Sequence, residues 1–177
     1  MSAEVTATPA NSLDTYPAVL LGLLLVILTY VFSIYNFAMK SRIAVFRRTF
    51  MRQFDEMHCK EVKGYDKAPQ FGYPDCGSGV YSQKLPYADW FKINCGQRVQ
   101  LNFLEQLPII MITILVAGLK YKFYTFVLSV TYCVARLMYG FGYMIAPSKR
   151  VAGALLQDVV MLGLIGLAYH SAWTLTQ

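Results

Sequence analysis

Charged residues are scarce in this sequence. Asp, Glu, Lys and Arg together make up 15% of the 177 residues, whereas apolar residues make up 56%. A soluble domain of this length would carry more charge and shorter apolar runs. The scarcity of charge therefore argues against an ordinary soluble domain and predicts an integral membrane protein.

The chain also lacks a metal-binding pattern. Its four cysteines have no CxxC spacing, and no paired histidine motif accompanies them. They are Cys59, Cys76, Cys95 and Cys133. We therefore predict no metal site and a structural or inert role for each thiol. His170 lies in the last apolar run, where a bundle-facing or interfacial position is expected rather than a ligand role.

The residues before the first apolar run lack the basic cluster that begins a secretory signal peptide. The run itself, Thr15 to Met39, contains no charged residue. At ~1.5 Å per residue it is long enough to cross ~30 Å of hydrocarbon. It is therefore expected to be retained as a membrane anchor and to form the first of four spans.

Three further apolar segments predict an all-α fold with four transmembrane helices in one domain, residues 1–177. The predicted helices cover about 15–50, 90–119, 123–146 and 151–173. An extended polar loop, about 55–90, separates the first two helices and contains glycines, prolines and several aromatic residues. Since aromatic side chains can pack, an ordered loop is expected rather than a flexible linker.

Basic residues predict the orientation of the spans. Nearly all lysines and arginines lie in the first or third loop, and only Lys120 and Lys122 lie in the second. The first and third loops should therefore face the cytosol, and both termini should face the lumen. The basic residues of these loops give the chain its net charge of +6. We interpret them as topology signals and as contacts to lipid headgroups, so nucleic acid is not an expected partner.

A polar stripe lies where the second helix enters its apolar run. Arg98, Asn102 and Glu105 fall at positions i, i+4 and i+7, which places them on one face of a helix. A cation and an anion at the rim of a membrane helix are costly unless they face protein, water or a ligand. The stripe therefore indicates a site.

A second polar stripe lies on the third helix. It consists of Arg136, Tyr139 and Tyr143, and Arg150 adds a cation in the third loop. Two interpretations stay open at this point. The charges, Asp158 included, pair with one another and set the register of a helix bundle, or they form a cationic pocket for a ligand.

Such a pocket suits a small anionic peptide that carries carboxylates, an amine and a thiol. Arginine binds carboxylates in a bidentate manner, Glu105 would hold an ammonium group, and Asn102 would bond an amide. A nearby arginine would also lower the thiol pKa of the ligand and stabilise its thiolate. Glutathione meets these requirements, although the pattern alone selects only a class of ligand.

The second-helix stripe resembles the signature of the MAPEG family, the membrane-associated proteins of eicosanoid and glutathione metabolism. The similar spacing is Arg98-x-x-x-Asn102-x-x-Glu105-x-x-Pro108. Gln106 departs from the pattern, because some members have an aromatic residue after the glutamate.

Three further segments most resemble the microsomal glutathione S-transferase 3 branch of that family. They are Asn94–Arg98, Ala135–Tyr143 and Pro147–Arg150. The resemblance covers roughly residues 16–42 and 90–173.

The resemblance implies a left-handed four-helix bundle that assembles as a homotrimer, with the co-substrate glutathione bound between neighbouring subunits. By motif position, the residues that would bind glutathione are Arg98, Gln100, Asn102, Glu105, Arg136, Tyr139 and Tyr143. Arg150 matches the arginine taken to stabilise the thiolate and is the predicted catalytic residue. A basic residue that ends the first helix also contributes in the family, and it corresponds here to Lys40 or Arg42.

The leading hypothesis is a glutathione-dependent transferase or peroxidase that acts on lipophilic electrophiles or lipid hydroperoxides in the bilayer. Its expected location is the endoplasmic reticulum, with a mitochondrial membrane as the alternative. The competing hypothesis is a non-catalytic subunit of a larger hetero-oligomeric membrane complex, for which the long first loop would be a docking surface. A small channel or transporter subunit is a third hypothesis; it explains the intramembrane charges but not the two matching stripes.

Overall fold

All regular secondary structure in the described part of the chain is helical. The computed structural model describes residues 13–49, 51–64, 66, 77–80 and 82–177. Its helices are α1 Tyr16–Ser33, α2 Lys40–Thr49, α3 Met51–Glu61, α4 Tyr87–Lys120, α5 Lys122–Ile145 and α6 Val151–Leu175. A π-helical turn, Ile34–Met39, joins α1 to α2, and short 3-10 turns cover Ser82–Lys84 and Pro147–Arg150.

Among the described residues, four helical segments are long and apolar enough to cross a membrane. They are Tyr16–Val45, Tyr87–Lys120, Lys122–Ile145 and Pro147–Leu175. A helix satisfies its backbone hydrogen bonds within the segment, which is why an apolar run of this length favours it in hydrocarbon. The predicted all-α fold with four spans is confirmed, and Tyr121 alone separates the second span from the third.

The polar loop is shorter than the predicted 55–90. Helix α3 continues to Glu61, and α4 begins at Tyr87. The α3 sequence is rich in strong helix formers and meets no glycine before Gly64, whose φ of 96° is one that glycine adopts readily. Polarity made these residues resemble a loop, but it is equally typical of a helix outside the membrane. Much of the predicted ordered loop, including residues 65, 67–76 and 81, lies outside the described residues.

The chain divides into two compact units. The first comprises Met1–Thr29, Gln106–Leu137 and Ala152–Gln177. Its core includes the fully buried side chains Val19, Val26, Ile110, Ile114 and Leu164. Small residues allow its helices to approach closely: a Cβ on Gly118 would clash with a methyl group of Val19.

The second unit comprises Tyr30–Glu105 and Met138–Val151. Within this unit, Gly96 of α4 packs directly on the π-helical turn. A Cβ on Gly96 would lie 2.5 Å from the Phe37 carbonyl oxygen. That oxygen accepts a 2.6 Å hydrogen bond from the Ser41 hydroxyl, and the Phe37 ring packs edge-on against Phe141 of α5 with centroids 5.2 Å apart.

Candidate functional site

The predicted catalytic residue, Arg150, ends the 3-10 turn that follows α5. The Ala146 amide donates a 3.0 Å hydrogen bond to the Gly142 carbonyl, and the backbone of Ala146 is then extended, with φ −160° and ψ 139°. This geometry brings the turn back onto α5 at Gly142, where a Cβ would lie 2.5 Å from the Lys149 carbonyl oxygen. Glycine at position 142 therefore allows the basic turn to lie against the helix that carries Tyr139 and Tyr143.

Arg150 and the two tyrosines form a continuous row in the second unit. The Arg150 guanidinium carbon lies 5.1 Å from the centroid of the Tyr143 ring, a cation–π distance. The Tyr143 ring in turn lies 5.7 Å from that of Tyr139. Arg150 is exposed, Tyr143 is half-buried and Tyr139 is only 3% exposed. The row thus leads from an exposed cation to a buried phenol.

The stripe on α4 belongs to the same unit. Helix α4 contains all of its members without interruption, so the helical spacing inferred for Arg98, Asn102 and Glu105 is confirmed. Arg98 and Glu105 are exposed, whereas Asn102 and Gln100 are half-buried. Exposed charges on a helix that can cross a membrane require water, a ligand or a neighbouring chain beside them.

Arg136 lies in the first unit and is 1% exposed. Its Nη1 donates a 2.8 Å hydrogen bond to Gln157 Oε1 on α6, and it lies at a longer 3.5 Å from Gln106 Oε1 on α4. The Tyr132 hydroxyl donates to the same Gln106 oxygen at 2.9 Å. Amide oxygens therefore hold this buried cation between helices, and its supporting role toward glutathione stays a prediction.

Sequence reasoning missed the structural importance of Gln106 and Gln157. In the sequence, Gln106 stands out only as a departure from a family pattern, and no motif singles out Gln157. Both are amides inside apolar helical segments, and such residues commonly form hydrogen bonds across helices. That signal was available in the sequence, but it does not identify the partner.

A hydrogen bond also orients Lys40, a basic residue near the end of the first span. The Lys40 ammonium donates to Asn36 Oδ1 at 2.6 Å, one helical turn earlier in the π-helical segment. Lys40 is exposed, and Arg42 is half-buried. Turns of π-helix occur frequently at functional sites.

The described residues contain no group of three or more His, Cys, Asp and Glu side chains that could hold a metal ion. Cys59, Cys95 and Cys133 are free thiols, and Cys76 lies outside the described residues. His170 is exposed, with its Nδ1 at 2.6 Å from the Tyr121 hydroxyl. This contact suits the interfacial position expected for His170.

One comparison with known proteins bears on these features. A model of the MAPEG family matches residues 14–170. The matched region includes both polar stripes and the turn that ends at Arg150.

Proposed function

The chain belongs to the MAPEG family, and we propose that it is a glutathione-dependent membrane transferase or peroxidase. The family includes such enzymes as well as non-catalytic members. The proposed substrates are lipophilic electrophiles or lipid hydroperoxides that partition into the bilayer. The observation that carries the proposal is the cation–π contact of Arg150 with Tyr143, next to Tyr139.

Arg150 would stabilise the glutathione thiolate. A guanidinium has five N–H donors, so one that makes a cation–π contact with a ring still has donors for an anion. Such donors next to the sulfur lower the pKa of the thiol, so that the nucleophile is present at neutral pH. Glutathione supplies the attacking sulfur, and the arginine supplies the electrostatic stabilisation that makes the attack faster.

The α4 stripe would bind the peptide part of glutathione. Arg98 matches a carboxylate, Glu105 matches the ammonium group, and Asn102 matches an amide, with Gln100 in a supporting position. Of the two basic candidates on the first span, we propose Lys40, because it is exposed and oriented by its hydrogen bond to Asn36.

We further propose a homotrimer with glutathione between neighbouring subunits, close to the microsomal glutathione S-transferase 3 branch and located in the endoplasmic reticulum. Arg98 and Glu105 are exposed in the single chain although they lie on a segment that can cross a membrane. A neighbouring copy together with a charged ligand would cover both side chains and offset the cost of placing them there.

The test is a comparison of the purified wild type with Arg150→Ala, Arg150→Lys and the matched control Lys149→Ala, an exposed cation in the same turn. The readouts are thiolate absorbance after addition of glutathione, conjugation of a lipophilic epoxide, and reduction of a lipid hydroperoxide. We expect Arg150→Ala to lose the thiolate signal and to slow turnover by about 100-fold or more, and Lys149→Ala to resemble the wild type. Unchanged turnover in Arg150→Ala would contradict the assigned role.

A second candidate function is a non-catalytic subunit of a larger, hetero-oligomeric membrane complex, for which a mitochondrial membrane is the alternative location. The supporting observation is the attachment of the first loop to α4: Trp90 Nε1 and Asn94 Nδ2 both donate to the Gly77 carbonyl, at 2.9 and 3.1 Å. A loop held in this way suits docking. Co-purification with other membrane subunits in a fixed ratio, without turnover, would favour this function over the enzyme.

A further inference from the structure

A cavity of about 330 Å³ opens at the turn between α4 and α5. Its lining consists of Asp14, Lys120, Tyr121, Lys122, Phe123 and Tyr124. All of these residues belong to the first unit, and none is among the residues proposed to bind glutathione. The cavity therefore needs its own explanation.

The lining combines two cations, one anion and two phenols. The Lys120 ammonium lies 5.8 Å from the centroid of the Tyr121 ring. The Tyr121 hydroxyl lies 2.6 Å from His170 Nδ1, a contact that restrains this ring from α6. Two lysines attract a phosphate, but the Asp14 carboxylate would weaken the binding of a simple anion. A ligand that carries both a phosphate and an ammonium group satisfies both signs of charge.

The position of the cavity favours a lipid as the source of that ligand. Lys120 ends one candidate span and Lys122 begins the next, so the turn between them lies where the hydrocarbon ends. Tyrosines and lysines at this level typically contact lipid headgroups. Leu119 and Tyr124, which flank the turn, are 50% and 62% exposed and offer apolar surface next to the charged groups.

We propose that this cavity binds the headgroup of an aminophospholipid, with its phosphodiester on Lys120 and Lys122 and its primary ammonium on Asp14. The two lysines supply affinity for the phosphate, which phospholipids share. The carboxylate supplies selectivity, because it can accept hydrogen bonds from a primary ammonium, whereas a choline group has no N–H to donate.

The test measures lipid retention by native mass spectrometry. Delipidated full-length protein is incubated with equal amounts of phosphatidylethanolamine, phosphatidylcholine and phosphatidylglycerol, and the bound lipids are counted. We expect the wild type to retain phosphatidylethanolamine preferentially. Lys120→Gln/Lys122→Gln should lower retention of phospholipid by about tenfold or more, because each basic residue near the membrane surface contributes to headgroup binding. The charge-preserving variant Lys120→Arg/Lys122→Arg should retain phospholipid as the wild type does.

Asp14→Asn separates selectivity from affinity. This variant should still bind phospholipid but should no longer prefer phosphatidylethanolamine to phosphatidylcholine or phosphatidylglycerol. The matched control is Lys63→Gln/Lys92→Gln, which removes the same charge from two exposed lysines, one after α3 and one in α4, and should behave as the wild type. Circular dichroism and gel filtration verify that every variant is folded.

Three results would overturn the proposal. The first is a wild type that retains the three lipids equally. The second is a lysine-to-glutamine pair that retains as much lipid as the control pair. The third is displacement of the lipid by millimolar inorganic phosphate, which would assign the cavity to free phosphate instead.

Discussion

Gly142 determines whether Arg150 can lie beside Tyr143. The spacing of the sequence places Tyr139 and Tyr143 one helical turn apart, and the contact between their rings follows from that spacing. The cation–π contact of Arg150 with Tyr143 does not follow from spacing. It requires the chain to reverse at Ala146 and to approach Gly142, and this depends on backbone distances that a motif does not contain.

We therefore expect Gly142→Ala to destabilise the turn that carries Arg150. The added methyl group would lie 2.5 Å from the Lys149 carbonyl oxygen. Because this oxygen belongs to the backbone, it can move away only if the whole turn moves. Overpacking of this kind costs about 1–3 kcal/mol. The measurement is thermal unfolding in detergent, together with glutathione turnover, which should fall because Arg150 is displaced.

Gly166→Ala is the control for this change. It places the same methyl group on α6, where nothing lies within 4 Å of it. The unfolding temperature of this variant should equal or exceed that of the wild type, because alanine favours a helix more than glycine does. Equal unfolding temperatures for the two glycine variants would contradict the proposed steric role of position 142.

At the scale of the helices, apolar length and polar spacing were sufficient to predict α4, α5 and α6. They were not sufficient for the π-helical turn Ile34–Met39, which has no distinct residue pattern and packs on Gly96 through a backbone oxygen. They also misassigned the polar helix α3, because a solvated helix and a loop have similar polarity. Tertiary packing, rather than local preference, separates such cases.

The hydrogen bond from Arg136 to Gln157 joins α5 to α6 within the first unit. We expect Gln157→Leu to lower the free energy of unfolding by about 1–3 kcal/mol, because a buried donor loses its 2.8 Å acceptor and keeps the Gln106 oxygen only at 3.5 Å. Thermal unfolding in detergent measures the change. Asp158→Asn is the matched control, since Asp158 is the adjacent residue on α6 and is exposed. Similar unfolding temperatures for both variants would show that the bond contributes little to stability.

At the scale of the whole molecule, the distribution of basic residues predicts the orientation of the chain in the membrane. Cys59 lies in α3, within the segment expected to face the cytosol, and it is half-buried, whereas Cys95 and Cys133 are buried. A membrane-impermeant maleimide should therefore label Cys59 in sealed vesicles that expose their cytosolic face. The experiment uses the Cys76→Ser variant, so that labelling reports on Cys59.

The opposite face is tested with Thr176→Cys in a chain whose native cysteines are replaced by serine. Thr176 is exposed and follows α6. Its label should appear only after the vesicles are permeabilised. Labelling of position 176 in sealed vesicles, together with protection of Cys59 in the Cys76→Ser chain, would show that the orientation is inverted.

The sequence by itself determined the all-α class, the four spans and the two polar stripes. These features depend on local quantities, because a membrane helix closes its hydrogen bonds within itself and needs a minimum apolar length. The tertiary structure decided which groups meet: Arg136 with Gln157, Arg150 with Tyr143, and the π-helical turn with Gly96. Such contacts join residues on different elements, and their distances depend on how closely small residues let the backbones approach.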